Sequence, residues 1–128
     1  MLPEDFEAAV DDAIETIPAD LAAAMNNVAI FIEDEYVPGP GEDPSTELLG
    51  LYEGKPLTER SFFDGFTMPD RITIYQGPHE RMAGSPEELT QMVADTVWHE
   101  IAHYFGMDEP RVRRAERRRA RRGQKPRA

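Results

Sequence analysis

Hydrophobic residues recur at spacings of three and four near the start of the chain. They are Phe6, Val10, Ala13, Ile14 and Ile17. This spacing places them on one face of an amphipathic helix over residues 4–17, which Pro18 ends. A short second helical turn or a linker follows over residues 19–27.

Three later segments have the patterns of β-strands. In residues 28–33 the side chains alternate between two faces with a period of two. Residues 48–52 form a shorter predicted strand, and Gly54 marks its end. Residues 71–76 place Ile72 and Ile74 opposite polar neighbours, and Gly77-Pro78 ends that strand. Between them, residues 55–70 lack periodicity but hold three phenylalanines, which predicts a long loop with aromatic anchors.

The best helix start signal lies near residue 85. Ser85 is placed to cap the helix, Pro86 takes the first helical position and Glu88 completes a capping box. We expect this helix to run to Phe105 and to stop at Gly106. Its second half is apolar nearly all round, which predicts a central, buried helix whose polar residues need partners.

Composition limits the classes of protein that the chain can belong to. It has 128 residues, 40% of them hydrophobic, which suits one domain with one core and argues against global disorder. The absence of cysteine excludes a disulfide framework and a thiolate metal cage. The acidic N-terminus is not a secretory signal and no apolar stretch could cross a bilayer, so we expect a small cytoplasmic protein without membrane contact.

Charge divides the chain into two unequal parts. Residues 1–110 hold 4 basic and 24 acidic side chains, whereas residues 111–128 hold 10 basic side chains and the single acid Glu116. The first part therefore repels nucleic acid, and only the tail of residues 111–128 could attract it. An acidic body also suggests tolerance for basic peptides. A tail that only neutralises the body and stays solvated is an equally good interpretation.

The sequence His99-Glu100-Ile101-Ala102-His103 carries the strongest chemical signal. Residues four apart on a helix share a face, so His99 and His103 can bind one metal ion. Zinc is the expected ion, because imidazole and carboxylate ligands suit it. Glu100, beside the open coordination position, can act as the general base toward metal-bound water. The alternative, two core histidines with a glutamate partner, would bury polar groups at high cost.

A third ligand is less clearly marked. Glu109 occupies the ligand position of the longer pattern H-E-x-x-H-x-x-G-x-x-H, and a left-handed Gly106 would turn the chain back toward the metal. Asp108 competes with it. His79 could approach the site, although a surface loop position is the preferred interpretation. Asp95, one turn before His99, is one candidate acceptor for the second N–H of that imidazole, and a backbone carbonyl is another.

The segment HEIAHYFGMDE closely resembles the motif of a family of small bacterial zincin-like metallopeptidases, the minimal zincins. The segments NVAIFIEDE, LLGLYEGKPLTERS and PDRITIYQGPHER also resemble that family, in order, over roughly residues 3–112. The resemblance implies a compact α+β fold with a small mixed sheet of three or four strands, packed on the N-terminal helix and the motif helix. It also implies His99 and His103 as zinc ligands, Glu100 as the general base and an acidic third ligand at Glu109.

These features lead to two functional hypotheses. The first is a monomeric zinc metallopeptidase, with its domain in residues 1–112 and a separate arginine-rich tail in residues 113–128, acting on a peptide or protein substrate. The second is a metal-bearing interaction module with little hydrolytic activity, whose tail binds nucleic acid or an acidic partner. Loss of cleavage in Glu100→Gln would favour the first, and salt-sensitive binding lost with the tail would favour the second.

Overall fold

The structure is a computed structural model that describes residues 1–25, 28–54 and 70–106. Helices and strands are mixed along the chain, which confirms the predicted α+β class. The elements are α1 (Pro3–Glu15), α2 (Ala19–Ala24), β1 (Val28–Glu33), β2 (Gly50–Glu53), β3 (Asp70–Tyr75), α3 (Gln76–Met82) and α4 (Pro86–Tyr104). The phenylalanine-containing loop predicted for residues 55–70 lies almost wholly outside the described residues.

The sheet is mixed and has the strand order β1-β3-β2. β1 runs parallel to the central strand β3, with Ile30 opposite Ile72, while β2 runs antiparallel to it, with Gly50 opposite Ile74. β3 is flanked by β1 and β2, and five of its six residues are buried. The small mixed sheet predicted for the fold is therefore confirmed, with β2 at the edge nearest to α4.

The hydrophobic core lies between the sheet and two helices. The apolar face of α1 predicted from residue spacing supplies Phe6, Val10 and Ala13, and β3 supplies two isoleucines. α4 completes the core with Leu89, Val93, Val97 and Ile101. Within the three described ranges, no helix is long and apolar enough to cross a membrane.

Both ends of α4 follow the signals in the sequence. The Ser85 hydroxyl accepts a hydrogen bond from the Glu88 amide at 3.1 Å, and the Glu88 carboxylate reaches back to the Gly84 amide at 3.2 Å. At the other end Gly106 has φ +79° and its amide donates to the His103 carbonyl at 2.9 Å. A residue with a side chain rarely adopts that backbone conformation.

The helix α3 is absent from the sequence-based prediction. Gly77-Pro78 does not simply end the third strand, because the chain turns directly from Tyr75 into this seven-residue helix. The buried residues of α3 are Gln76, Pro78 and His79, so it shows no hydrophobic period that could indicate a helix. α3 matters for the site, since it carries Met82 and Arg81 to the mouth of a cleft beside α4.

Candidate metal centre

Three residues that could bind a metal ion lie together on the buried second half of α4. The ligand atoms of His99, Glu100 and His103 are all within 4.8 Å of one another. Glu100 is buried with only 6% of its surface exposed, whereas the two histidines are half-buried. The helix thus presents two accessible imidazoles and one carboxylate that is largely shielded from water.

The two imidazoles point to one place. Their Nε2 atoms lie 3.1 Å apart, and the ring planes are inclined by 63°. Two nitrogen ligands at 2.0–2.1 Å from a tetrahedral zinc ion are separated by about 3.3 Å, so the observed spacing fits zinc closely. Two facing lone pairs repel unless a proton or a cation lies between them. The donor set therefore fits a metal ion.

Glu100 is held against the edge strand of the sheet. β2 approaches α4 at Gly50, where an added Cβ atom would lie 3.0 Å from the Cγ of Glu100. The absence of a side chain at Gly50 lets the strand backbone rest on the helix. The backbone of β2 therefore packs closely against the Glu100 side chain.

A cleft of about 570 Å³ opens from this cluster along α4. Its size is typical of small-molecule and peptide-side-chain sites. One wall is formed by α4 and the other by the chain that leads into β2, and Met82 of α3 also lines the cleft. The lining residues are Glu47, Leu48, Leu49, Gly50, Met82, Met92, Asp95, Thr96, His99 and Glu100.

His79 lies in the core, so the prediction of a surface loop residue is wrong. It is fully buried and packs edge-on against Phe6, with ring centroids 5.6 Å apart. Its Nδ1 lies 2.6 Å from the Tyr75 carbonyl oxygen and its Nε2 lies 2.9 Å from the Thr96 hydroxyl. Both ring nitrogens are engaged within the core, and this arrangement does not favour His79 as a metal ligand.

The protonation state of the His79 ring follows from these contacts. A carbonyl oxygen only accepts, so Nδ1 carries the hydrogen that is donated to Tyr75. Burial lowers the pKa of His79 below its ordinary value, which favours the neutral ring. The Thr96 hydroxyl lies 2.9 Å from both Nε2 and the Met92 carbonyl oxygen, and its single hydrogen can be donated to only one of them at a time. Sequence patterns do not reveal this arrangement, because a polar residue on a short helix gives no burial signal.

Two tyrosines beside the motif helix pack against each other, and the two predicted third ligands lie outside the described ranges. Tyr104, next to His103, is fully buried and packs edge-on against Tyr52 at 6.2 Å between ring centroids. The Tyr52 hydroxyl donates to the Asp70 carboxylate at 2.5 Å, so it is already engaged. Both predicted third ligands, Glu109 and Asp108, lie outside the described residues. The third ligand therefore stays a prediction.

A family model adds evidence independent of this geometry. The model of the family described as zincin-like metallopeptidase matches residues 25–119, about three quarters of the chain. The chain belongs to the zincin-like metallopeptidase family. The match begins after α2 and extends past residue 112, where the sequence predicts the end of the domain. That boundary stays a prediction.

One solved structure resembles this zincin-like protein over most of its length. It is a conserved hypothetical protein from Thermus thermophilus, 27% identical in sequence, with a TM-score of 0.56. The similarity covers 82% of this chain and 94% of the other. No functionally curated protein shows significant similarity to the chain. The comparisons thus show the family and the fold.

Proposed function

We propose that this zincin-like protein is a zinc-dependent metallopeptidase. His99 and His103 bind the metal ion, Glu109 supplies the third ligand, and Glu100 is the general base. The proposal is carried by one observation, the convergence of the two Nε2 atoms at 3.1 Å beside a buried carboxylate. Membership of the zincin-like metallopeptidase family supports it.

The chemistry follows from the positions of these residues. A zinc ion bound here would polarise a peptide carbonyl and lower the pKa of a water molecule. Glu100 accepts the proton of the attacking water and passes it to the nitrogen of the leaving amine. Its burial keeps competing water away from the carboxylate, and its contact with β2 holds the side chain in place. The open cleft beside His99 accommodates the peptide.

The decisive experiment separates metal binding from proton transfer. Glu100→Gln keeps the size of the side chain but removes the base, so we expect unchanged zinc content and a loss of cleavage of at least about a hundredfold. Glu87→Gln is the matched control, because Glu87 is an exposed residue in the first turn of the same helix. Zinc is measured by mass spectrometry, and cleavage with a library of quenched fluorescent peptides.

Two further variants test the ligands themselves. We expect purified protein to contain about one zinc ion per chain, and His99→Ala or His103→Ala to remove it. Full zinc occupancy in either variant would contradict the assignment of that histidine. Zinc-loaded protein that cleaves no peptide in the library would contradict the peptidase. Salt-sensitive binding of nucleic acid or an acidic protein through residues 111–128 would then favour the interaction module.

A further inference from the structure

The cleft beside His99 has apolar walls. Its large apolar side chains come from the segment before β2, from the end of α3 and from α4, and they are Leu48, Leu49, Met82 and Met92. The two leucines and Met92 are half-buried, whereas Met82 leaves 60% of its surface exposed. Large apolar side chains that line a cleft together, and that the fold does not fully bury, indicate a ligand-binding groove.

The polar residues that line the cleft away from the histidines already have partners within the protein. Glu47 forms an ion pair with Arg81. Asp95 accepts a hydrogen bond from the Gln91 side-chain amide at 2.9 Å, and the Thr96 hydroxyl lies 2.9 Å from two acceptors. A charged ligand group would have to compete with these interactions while losing its own hydration, which disfavours it in this cleft.

The apolar walls begin beside the proposed general base. Leu49 directly precedes Gly50, whose backbone packs against Glu100. Met92 precedes His99 by seven residues, which is about 10 Å along the helix axis. The apolar space thus extends about two helical turns from the metal centre, so a substrate residue next to the cleaved bond can place its side chain there.

We propose that this cleft binds a long apolar side chain of the substrate, such as leucine or methionine, next to the bond that is cleaved. Met82 and Met92 determine the preference, because methionine side chains are flexible and adapt their shape to an apolar ligand. The proposal rests on the peptidase function and adds its substrate class. The negative charge of residues 1–110 favours the opposite outcome, a basic side chain, so a comparison of the two is decisive.

The test measures binding, so that it does not depend on cleavage. The probes are three short glycine-flanked peptides with norleucine, lysine or alanine as the central residue. Norleucine shares the four-carbon stem of lysine but lacks the ammonium group. The peptides are titrated calorimetrically into the Glu100→Gln protein supplied with zinc. We expect the norleucine peptide to bind at least about tenfold more tightly than either of the others, because the cleft buries its additional carbon atoms.

Variants of the Glu100→Gln protein locate the effect at Met82. Because this side chain is exposed, its truncation removes little packing from the fold. We expect Met82→Ala to weaken binding of the norleucine peptide by about threefold or more without affecting the alanine peptide, and Met82→Leu to preserve the preference. Val37→Ala is the matched control, since Val37 is an exposed apolar residue that does not line the cleft.

Several outcomes would contradict the proposal. They are equal binding of the norleucine and alanine peptides, tighter binding of the lysine peptide, and no measurable binding of the norleucine peptide at millimolar concentration. If Met82→Ala weakens all three peptides equally, or Val37→Ala has the same effect as Met82→Ala, Met82 does not determine the preference and its proposed role is wrong.

Failure of the peptidase function is a separate result, because it is measured by cleavage with the unmodified chain. Cleavage of the norleucine and alanine peptides at equal rates would retain the peptidase and contradict this substrate class. An absence of cleavage together with a preference for norleucine in binding would contradict the peptidase and support the apolar cleft.

Discussion

Gly50 of β2 lies directly against Glu100 of α4, with no side chain between the strand and the helix. A Cβ atom at Gly50 would lie 3.0 Å from the Cγ of Glu100 and 2.7 Å from the Cγ2 of Thr96. The second distance is shorter than van der Waals contact allows, so a larger residue at Gly50 forces a shift at this contact. The edge strand and the proposed general base are therefore in close contact.

We expect Gly50→Ala to lower both stability and activity. Forcing one methyl group into this contact costs about 1–3 kcal/mol of unfolding free energy, and relaxation moves Glu100 away from the histidines. Urea denaturation measures the first effect and peptide cleavage the second. Gly39→Ala is the control, because a Cβ there meets only the end of the flexible Glu42 side chain, at 3.3 Å. Equal activities of the two variants would show that β2 does not position Glu100.

His79 is expected to make the stability depend on pH. Its pKa in the folded protein is lowered by burial from an ordinary value of 6.5. Below pH 6.5 the unfolded chain therefore binds a proton that the folded chain does not bind. The free energy of unfolding consequently decreases as the pH falls through that value, and the contribution of His79 is fully present only at higher pH.

His79→Gln isolates this effect from the other two histidines. The test is urea denaturation of both proteins from about pH 8 to about pH 5, which gives the free energy of unfolding at each pH. The difference in unfolding free energy between the unmodified chain and the variant is expected to shrink as the pH falls, because glutamine does not titrate. His99 and His103 are present in both proteins, so their effects cancel. A pH-independent difference would contradict a neutral, buried His79.

The sequence was most informative where local signals agree with tertiary packing. The Ser85 cap, the terminal Gly106 and the apolar second half of α4 all concern one helix, and that helix carries the candidate site. Its histidines can be placed on one face from their spacing alone. The strands β1 and β3 were marked by their alternating residues, whereas the compact α+β fold and its mixed sheet were implied by the resemblance to the minimal zincins.

The failures have a physical cause in tertiary contacts. β2 begins at Gly50 and not at Leu48, and the two leucines before it line the cleft, which their apolar pattern alone does not reveal. His79 is buried because Tyr75 and Thr96 satisfy both of its ring nitrogens, and neither partner is visible in the local pattern. The close approach of Gly50 to Glu100 likewise depends on two segments that are far apart in sequence.

The third ligand gives the next prediction. Glu109 is in register with the longer motif, and Gly106 has the left-handed conformation predicted for the glycine of that motif. We therefore expect Glu109→Ala to weaken zinc binding by at least about tenfold and Asp108→Ala to weaken it much less. Competition with a fluorescent zinc chelator measures both affinities. A larger loss of zinc affinity in Asp108→Ala would identify Asp108, and not Glu109, as the third ligand.

The last prediction concerns the arginine-rich tail, for which the family match and the sequence give different limits. The charge pattern places the end of the domain near residue 112, whereas the match to the zincin-like family reaches residue 119. We expect deletion of residues 113–128 to leave zinc content and the melting temperature unchanged, because the described core is built from α1, β3 and α4. Deletion of residues 120–128 is the matched comparison, since it keeps the whole family match. If only the longer deletion loses zinc or lowers the melting temperature, residues 113–119 belong to the domain. Both deletions are expected to weaken any salt-sensitive binding of nucleic acid, because each removes arginines.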